Sequence, residues 1–344
     1  MFRLQPDVGL SFALSIGMLR HILVVWLALG GTAVAQTPKA TPTNAERAQF
    51  STAVDSQVFA TQVMLDRAGF STGEIDGRAG PNVRKAAAAF QKSRGLPVSG
   101  RLDEATSGRL AEESGEQPAV VTYLLTDADV IGPFQEIPKD LIEQSKLESL
   151  SYRNALEAVA EKFHASPALL QSLNPGQTFS TAGEQVIVPN VTIVEAAPAK
   201  NGLTGTQQTK VRIVVTKDTS ALTVEDESGR VLFYAPVTTG SRHDPLPIGT
   251  WKVTGVQQSP AFHYNPDLFW DANPTHSKAK IAPGPNNPVG VAWIDISKEH
   301  YGIHGTPEPS TVGHVQSHGC VRMTNWDVSR VLEWAKPGTP VIFQ

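Results

Sequence analysis

The chain is 344 residues long, room for two or three domains and a sizeable buried core. Lys plus Arg total 29 against 33 Asp plus Glu, a formal net charge of -4, which excludes the broad basic field on which nucleic-acid binding relies. A single cysteine, Cys320, excludes an intramolecular disulfide framework and every zinc site built on paired cysteines.

In chain order, Arg20-His21 leads into the apolar run Ile22 to Leu29, and small residues follow to Ala33-Val34-Ala35. Residues 1–35 therefore read as a secretory signal peptide, too short in its apolar part for the roughly 20 residues of a membrane span. Met18 offers an alternative start, and the apolar residues from Val8 to Leu19, interrupted by Arg20 and His21, leave an uncleaved anchor as the alternative to cleavage. Cleavage would leave an exported protein that is not an integral membrane protein, its one thiol carried into an oxidising compartment. Residues 36–50, rich in Thr, Pro and Ala, read as a flexible linker.

Periodicity begins in the block 51–115. Val58, Leu65 and Ala68 share one helical face, stopped by Gly69, and Gly80-Pro81 opens a second helix bearing Val83, Ala86, Ala87 and Phe90. Asp103 is an N-cap for a third helix carrying Thr106 and Leu110. A second polar stretch, Glu112 to Pro118, precedes the block 120–192, whose first part has no legible strand. Its later part shows the stripe Leu156, Val159, Ala160 and Phe163, then a helix capped by Ser166-Pro167 with Leu169, Leu170 and Leu173, then a strand over Gln185 to Val188. Residues 195–209 form a last linker.

From residue 210 to 344 the pattern is mainly β. Strands are predicted over Val211 to Thr216, Ala221 to Glu225, Val231 to Val237, Thr250 to Val256, Val289 to Ile296 and Gly302 to His304. One helix follows, capped by Thr324, with Val328, Val331, Leu332 and Ala335 on its apolar side. The whole is a multidomain α+β chain: a three-helix N-terminal module, a small βααβ module and a mainly β C-terminal domain.

Four of the nine histidines, His300, His304, His314 and His318, crowd into the stretch that ends at Cys320. A free thiol is only a few per cent thiolate at neutral pH, so a nucleophilic cysteine needs a base, an orienter of that base and N–H groups facing the oxyanion. His304 supplies the first, Ser317 the second, and Gly319 with Cys320 the third. Zinc is the chemical alternative, with His304, His314, His318 and Cys320 as donors, but His318-x-Cys320 is an awkward spacing for a closed tetrahedral site. No metal and no cofactor is expected.

Three resemblances attach to these blocks. Ile75-Asp76-Gly77-Arg78, Phe90-Gln91 and Gly95-Leu96-Pro97 resemble the peptidoglycan-binding domain 1 family, and the two short helices with the closing Val188-Pro189 resemble a LysM domain without its usual first strand. His304-Gly305-Thr306 and Ser317-His318-Gly319-Cys320-Val321-Arg322, with twelve residues between His304 and Ser317, resemble the signature of the L,D-transpeptidase (YkuD) family, as do Gly284 to Gly290 and the strand around Trp293.

That last resemblance implies murein remodelling in the periplasm of a Gram-negative-type envelope. Cys320 would attack the bond between a diamino acid and the terminal D-alanine of a tetrapeptide stem, and His304 would be the base. Ser317 would orient the imidazole, Gly319 would leave room at the oxyanion, and Arg322, His318, Gly305 and Thr306 would meet the substrate. The partners implied are stem peptides and glycan, with a lysine of an outer-membrane protein or lipoprotein as a further acyl acceptor. It also implies acylation by carbapenems. The alternatives are a catalytically inactive wall-binding adaptor and an L,D-carboxypeptidase that uses water.

Overall fold

The computed structural model describes residues 54–115, 117–193 and 210–344; the signal-peptide reading and the linkers 36–50 and 195–209 lie outside the described residues. Among these no helix is long and apolar enough to cross a membrane.

The first module is three helices, α1 (Ser56–Arg67), α2 (Pro81–Ser93) and α3 (Glu104–Ser114). Their starts are chemically marked. Asp55 accepts hydrogen bonds from the amides of Gln57 and Val58, Pro81 occupies the first turn of α2, and Asp103 accepts from the Thr106 amide. Each device satisfies or dispenses with amide donors that a helix start leaves unpaired. The polar stretch after α3 is not a free tether. Glu112 and Glu113 belong to the last turn of α3, paired with Arg109 and Arg94, and Arg67 donates to the Pro118 carbonyl at 3.1 Å.

The middle block does have a first strand, contrary to the sequence reading. β1 (Val120–Leu124) pairs antiparallel with β2 (Gln185–Pro189), Val120 opposite Pro189. Residues 125–154, with the one-turn helices α4 (Asp127–Val130) and α5 (Leu141–Gln144), separate β1 from α6 (Ala155–Lys162) and α7 (Pro167–Leu173). That insertion hides the strand, because the resemblance looks for it directly before the first helix.

The C-terminal block is an eight-stranded mixed sheet in the order β11-β10-β9-β6-β12-β3-β4-β5. The strands are β3 (Val211–Thr216), β4 (Ala221–Asp226), β5 (Val231–Pro236), β6 (Gly249–Gln258), β9 (Ala292–Ile296), β10 (Gly302–His304), β11 (Val321–Arg322) and β12 (Pro340–Phe343). Two neighbours, β10 with β11 and β12 with β3, are parallel. A separate hairpin of β7 (Phe262–Tyr264) and β8 (Ala279–Ile281) carries the loop that reaches the site. The inward residues Ile294, Ile296, Ile303 and Val321 share a core with Val328 and Val331 of α8 (Asn325–Val331).

The blocks share cores rather than hanging from linkers. Phe59, Val63 and Ile75 of the first module bury with Val159, Leu169 and Val186 of the middle block. Leu65, Phe70 and Phe90 bury with Ala221 and Tyr234 of the large sheet. The amide of Ser71 bonds the Tyr234 carbonyl and the Tyr234 amide bonds the Gly69 carbonyl, so residues 69–71 cover the open edge of β5. Leu150 is stitched to Pro283 and Asn286 by main-chain bonds, and Asp140 meets His276 at 2.9 Å under the β7–β8 hairpin.

Candidate active site

The site forms where β9, β10 and β11 run side by side. Side chains alternate between the faces of a strand, and paired residues on neighbouring strands share a face. Ile303 pairs with Val321, both facing the core, so His304 and its partners Arg322 and Trp293 point to the other face. Cys320, one position before β11, lies on that face too, and Gly302 donates its amide to the sulfur.

His304 is fully inside the protein, and its protonation pattern follows from one bond. Its Nδ1 lies 2.7 Å from the Gly305 carbonyl oxygen. A carbonyl only accepts, so Nδ1 carries the hydrogen and Nε2 keeps its lone pair free for a proton. Burial, reinforced by the nearby positive charge of Arg322, pushes the imidazole pKa down to about 3, so the ring is neutral at physiological pH. The Trp293 indole stacks on the imidazole, ring centres 5.2 Å apart and 16° from parallel, and is itself held by its Nε1–H donating to Asp295 Oδ1 at 2.5 Å.

Cys320 is partly exposed. Burial of the sulfur raises the thiol pKa, opposed by the Gly302 amide and by Arg322. The thiol and the imidazole are thus both neutral at physiological pH, and the thiol is directed to the His300 carbonyl oxygen at 3.8 Å. Gly319, immediately before, sits at φ +105°, a conformation open to glycine but strained for other residues, and a Cβ there would lie 2.7 Å from the Tyr301 ring. The Cys320 amide has no hydrogen-bond partner among the described residues.

Ser317 does not orient the imidazole; the Gly305 carbonyl already fills that role. Its hydroxyl instead donates to the Cys320 carbonyl at 2.6 Å and accepts from the Gly319 amide at 3.3 Å, tightening the turn that carries the thiol. The Gly319 amide is thereby partly engaged, which leaves the Cys320 amide as the free donor. His318 faces the hairpin loop: its Nε2 meets Asp271 Oδ1 at 2.8 Å and its ring packs edge-on to Phe269. Thr306 is buried, its hydroxyl accepting from the Glu308 amide. Gly305 acts through its carbonyl. Arg322 is partly buried with no ion pair or side-chain hydrogen bond among the described residues, while Glu308 and Asp271 act on it through space.

His314 lies apart, against the helical module, and His300 is exposed beside Glu299. The four histidines and the cysteine do not converge, and no group of three or more His, Cys, Asp or Glu among the described residues could hold a metal ion. The sequence reading missed three contributors: Trp293 as the plate behind the base, Tyr301 as the wall of the Gly319 turn, and the Gly305 carbonyl. Only Trp293 carried a signal, as an aromatic two residues before an acid on a predicted strand.

A family model for the L,D-transpeptidase catalytic domain matches residues 210–343, and a second model, for a "Putative peptidoglycan binding domain", matches residues 54–110. The chain is 28% identical over 188 residues to the "Putative L,D-transpeptidase YkuD" of Bacillus licheniformis, which covers 54% of this chain and 91% of that protein. It is 32% identical over 136 residues to the "Putative L,D-transpeptidase YqjB" of Bacillus subtilis, 38% of this chain and 69% of the relative. A solved "L,D-transpeptidase from Mycobacterium smegmatis" overlaps 40% of this chain and 59% of its own at 20% identity and a TM-score of 0.33.

Proposed function

The chain belongs to the L,D-transpeptidase family and carries a peptidoglycan-binding domain, and from that premise we propose an exported enzyme that transfers stem peptides through a thioester on Cys320. The observation that supports it most directly is the fixed tautomer of His304: Nδ1–H on the Gly305 carbonyl, Nε2 free, on the same face as the sulfur.

In the proposed cycle Cys320 Sγ attacks the carbonyl between the diamino acid and the terminal D-alanine as His304 Nε2 takes the thiol proton. The negative oxygen that develops faces the Cys320 amide. The C–N bond breaks, the imidazolium returns its proton to the departing D-alanine amine, and an acyl thioester remains. The Gly305 carbonyl favours the transient imidazolium. An acceptor amine then attacks the thioester, gives a proton to His304, and releases the thiol. Arg322, unpaired and beside the sulfur, is proposed to meet a substrate carboxylate. A second stem as acceptor gives a 3-to-3 cross-link, a lysine of an outer-membrane protein or lipoprotein gives an anchored protein, and water gives a carboxypeptidase.

We assign the work to the periplasm, where the stems are, with the helical module holding the wall and the middle block, read as LysM-like, bracing the β7–β8 hairpin. The test is mass spectrometry of purified full chain with a tetrapeptide donor and candidate amines. Cys320→Ala and His304→Ala should each abolish product with an unchanged thermal melt. A carbapenem should add a single mass to the parent and none to Cys320→Ala. Turnover retained in Cys320→Ala would refute the thioester.

A further inference from the structure

A cavity of about 70 Å³, open to solvent, lies between the helical module and the loop that joins the two halves of the catalytic signature. One wall is Thr72, Glu74, Asp76, Arg78 and Asn82; the other is the turn at residues 309–312, with His314 at its end. Its polar groups are unbalanced. Thr72 is 3% exposed and Asn82 8%, yet Thr72 Oγ1 and Asn82 Oδ1 are buried with no partner among the described residues. The orientation of the Asn82 amide is set by its Nδ2, which donates to the Val312 carbonyl at 3.0 Å, so the unpaired atom is the oxygen.

The Glu74 carboxyl has no hydrogen bond or ion pair among the described residues, and Asp76 spends one oxygen on Gln62 and the Arg78 amide. Burial, with Asp76 beside it and against the pull of Arg78, raises the Glu74 carboxyl to about 7. Buried polar atoms are ordinarily paired, and a set of this kind is costly when left empty. The set is rich in acceptors, so its complement is a donor-rich cation. Arg78, exposed at the rim and without an ion pair among the described residues, supplies the counterpart for a carboxylate.

We propose that this cavity is a second recognition site, taking the zwitterionic amino-acid head that ends the side chain of a diamino acid, its ammonium toward Glu74 and its carboxylate toward Arg78. The choice of a diamino acid rests on the proposed murein substrate; the polarity of the cavity does not. Because the far wall is the loop between His304 and Ser317, held to the helical module by the Asn82–Val312 bond, occupancy joins wall recognition to the segment that shapes the active site.

Titration calorimetry of full-length Cys320→Ala with 2,6-diaminopimelic acid, and with cadaverine as the analogue lacking carboxylates, tests this. Saturable binding at millimolar concentration is expected, weakened about tenfold for cadaverine, for Glu74→Gln and for Arg78→Ala, each removing one charge-assisted contact. Arg78 is exposed, so its variant stays folded even where Glu74→Gln does not. In the Cys320-containing chain, Arg78→Ala should leave carbapenem acylation of the thiol unchanged, which separates this cavity from the active site. Absence of saturable binding, or affinity unaltered in both variants, would overturn the site while leaving transpeptidation untouched. Binding with no tetrapeptide turnover by the parent enzyme would instead support the site and remove the catalytic reading.

Discussion

The chemistry of the proposed base is decided by single atoms. With an imidazole pKa pushed down to about 3, His304 is already unprotonated well below neutrality. The rate of Cys320 acylation by a carbapenem should therefore show no acid limb near pH 6.5, where an ordinary histidine titrates. A limb at pH 6 to 7 in stopped-flow fluorescence would contradict the buried, neutral imidazole. Trp293 is a positioning residue behind that ring. Trp293→Ala should slow acylation by about ten- to a hundredfold, the scale on which small misplacements act, with Trp293→Phe recovering most of it and the melt little changed. Cys320 and His304 were legible in the sequence as candidates because each is a side chain in a recognisable spacing. The orienter was not, since a main-chain carbonyl such as that of Gly305 has no residue type to announce it.

Among elements, α8 connects the thiol turn to the core. Thr324, fully buried, accepts from the Asp327 amide at 3.1 Å and closes the start of the helix. Thr324→Ala should cost about 1 kcal/mol, a melting-point drop of roughly 2–4 °C in calorimetry. The starts of α2, α3, α7 and α8 were legible because capping is local chemistry, while the Asp55 cap of α1 was not read. The strands β7, β8, β11 and β12 were not predicted. β11 is two residues long, and β12 is four residues at the chain end, yet it lies between β6 and β3 near the centre of the sheet. No local period is readable in so few residues; their strand character comes from the partners on either side.

At the scale of the whole molecule, a buried polar seam ties the three blocks to α8. Ser71 Oγ donates to Asp327 Oδ2 at 2.9 Å, His164 Nδ1 meets Asp66 Oδ2 at 3.0 Å, and Asn325 Nδ2 donates to Glu161 Oε2 at 2.9 Å. Burial raises the Asp327 carboxyl to about 7. A folded-state value above the unfolded one means extra protons on the folded chain between about pH 4 and 7, so this contribution is present in acid and lost as pH rises through 7. His304 acts with the opposite sign below pH 6.5, but equally in parent and variant. The melting point of Asp327→Asn relative to the parent should therefore increase from pH 5 to pH 8. A difference that stays constant would refute the assignment.

The shared cores carry a second prediction at this scale. Removing residues 1–209 uncovers Tyr234 and Ala221 and the β5 edge that residues 69–71 now pair. The isolated catalytic block should melt lower than the full chain and self-associate in size-exclusion chromatography, since an open edge and an apolar face invite pairing.

The longer helices, most strands of the catalytic block and the candidate pair Cys320 and His304 could be read from the sequence alone, because caps, alternation and motif spacing are encoded within short stretches of chain. The tertiary structure alone shows that the blocks share cores, that β12 completes the sheet, that Gly305 rather than Ser317 holds the His304 imidazole, and that Glu74 and His314 line one cavity. Those depend on groups far apart in the chain meeting through backbone atoms and burial, and neither backbone geometry nor burial is written in residue types.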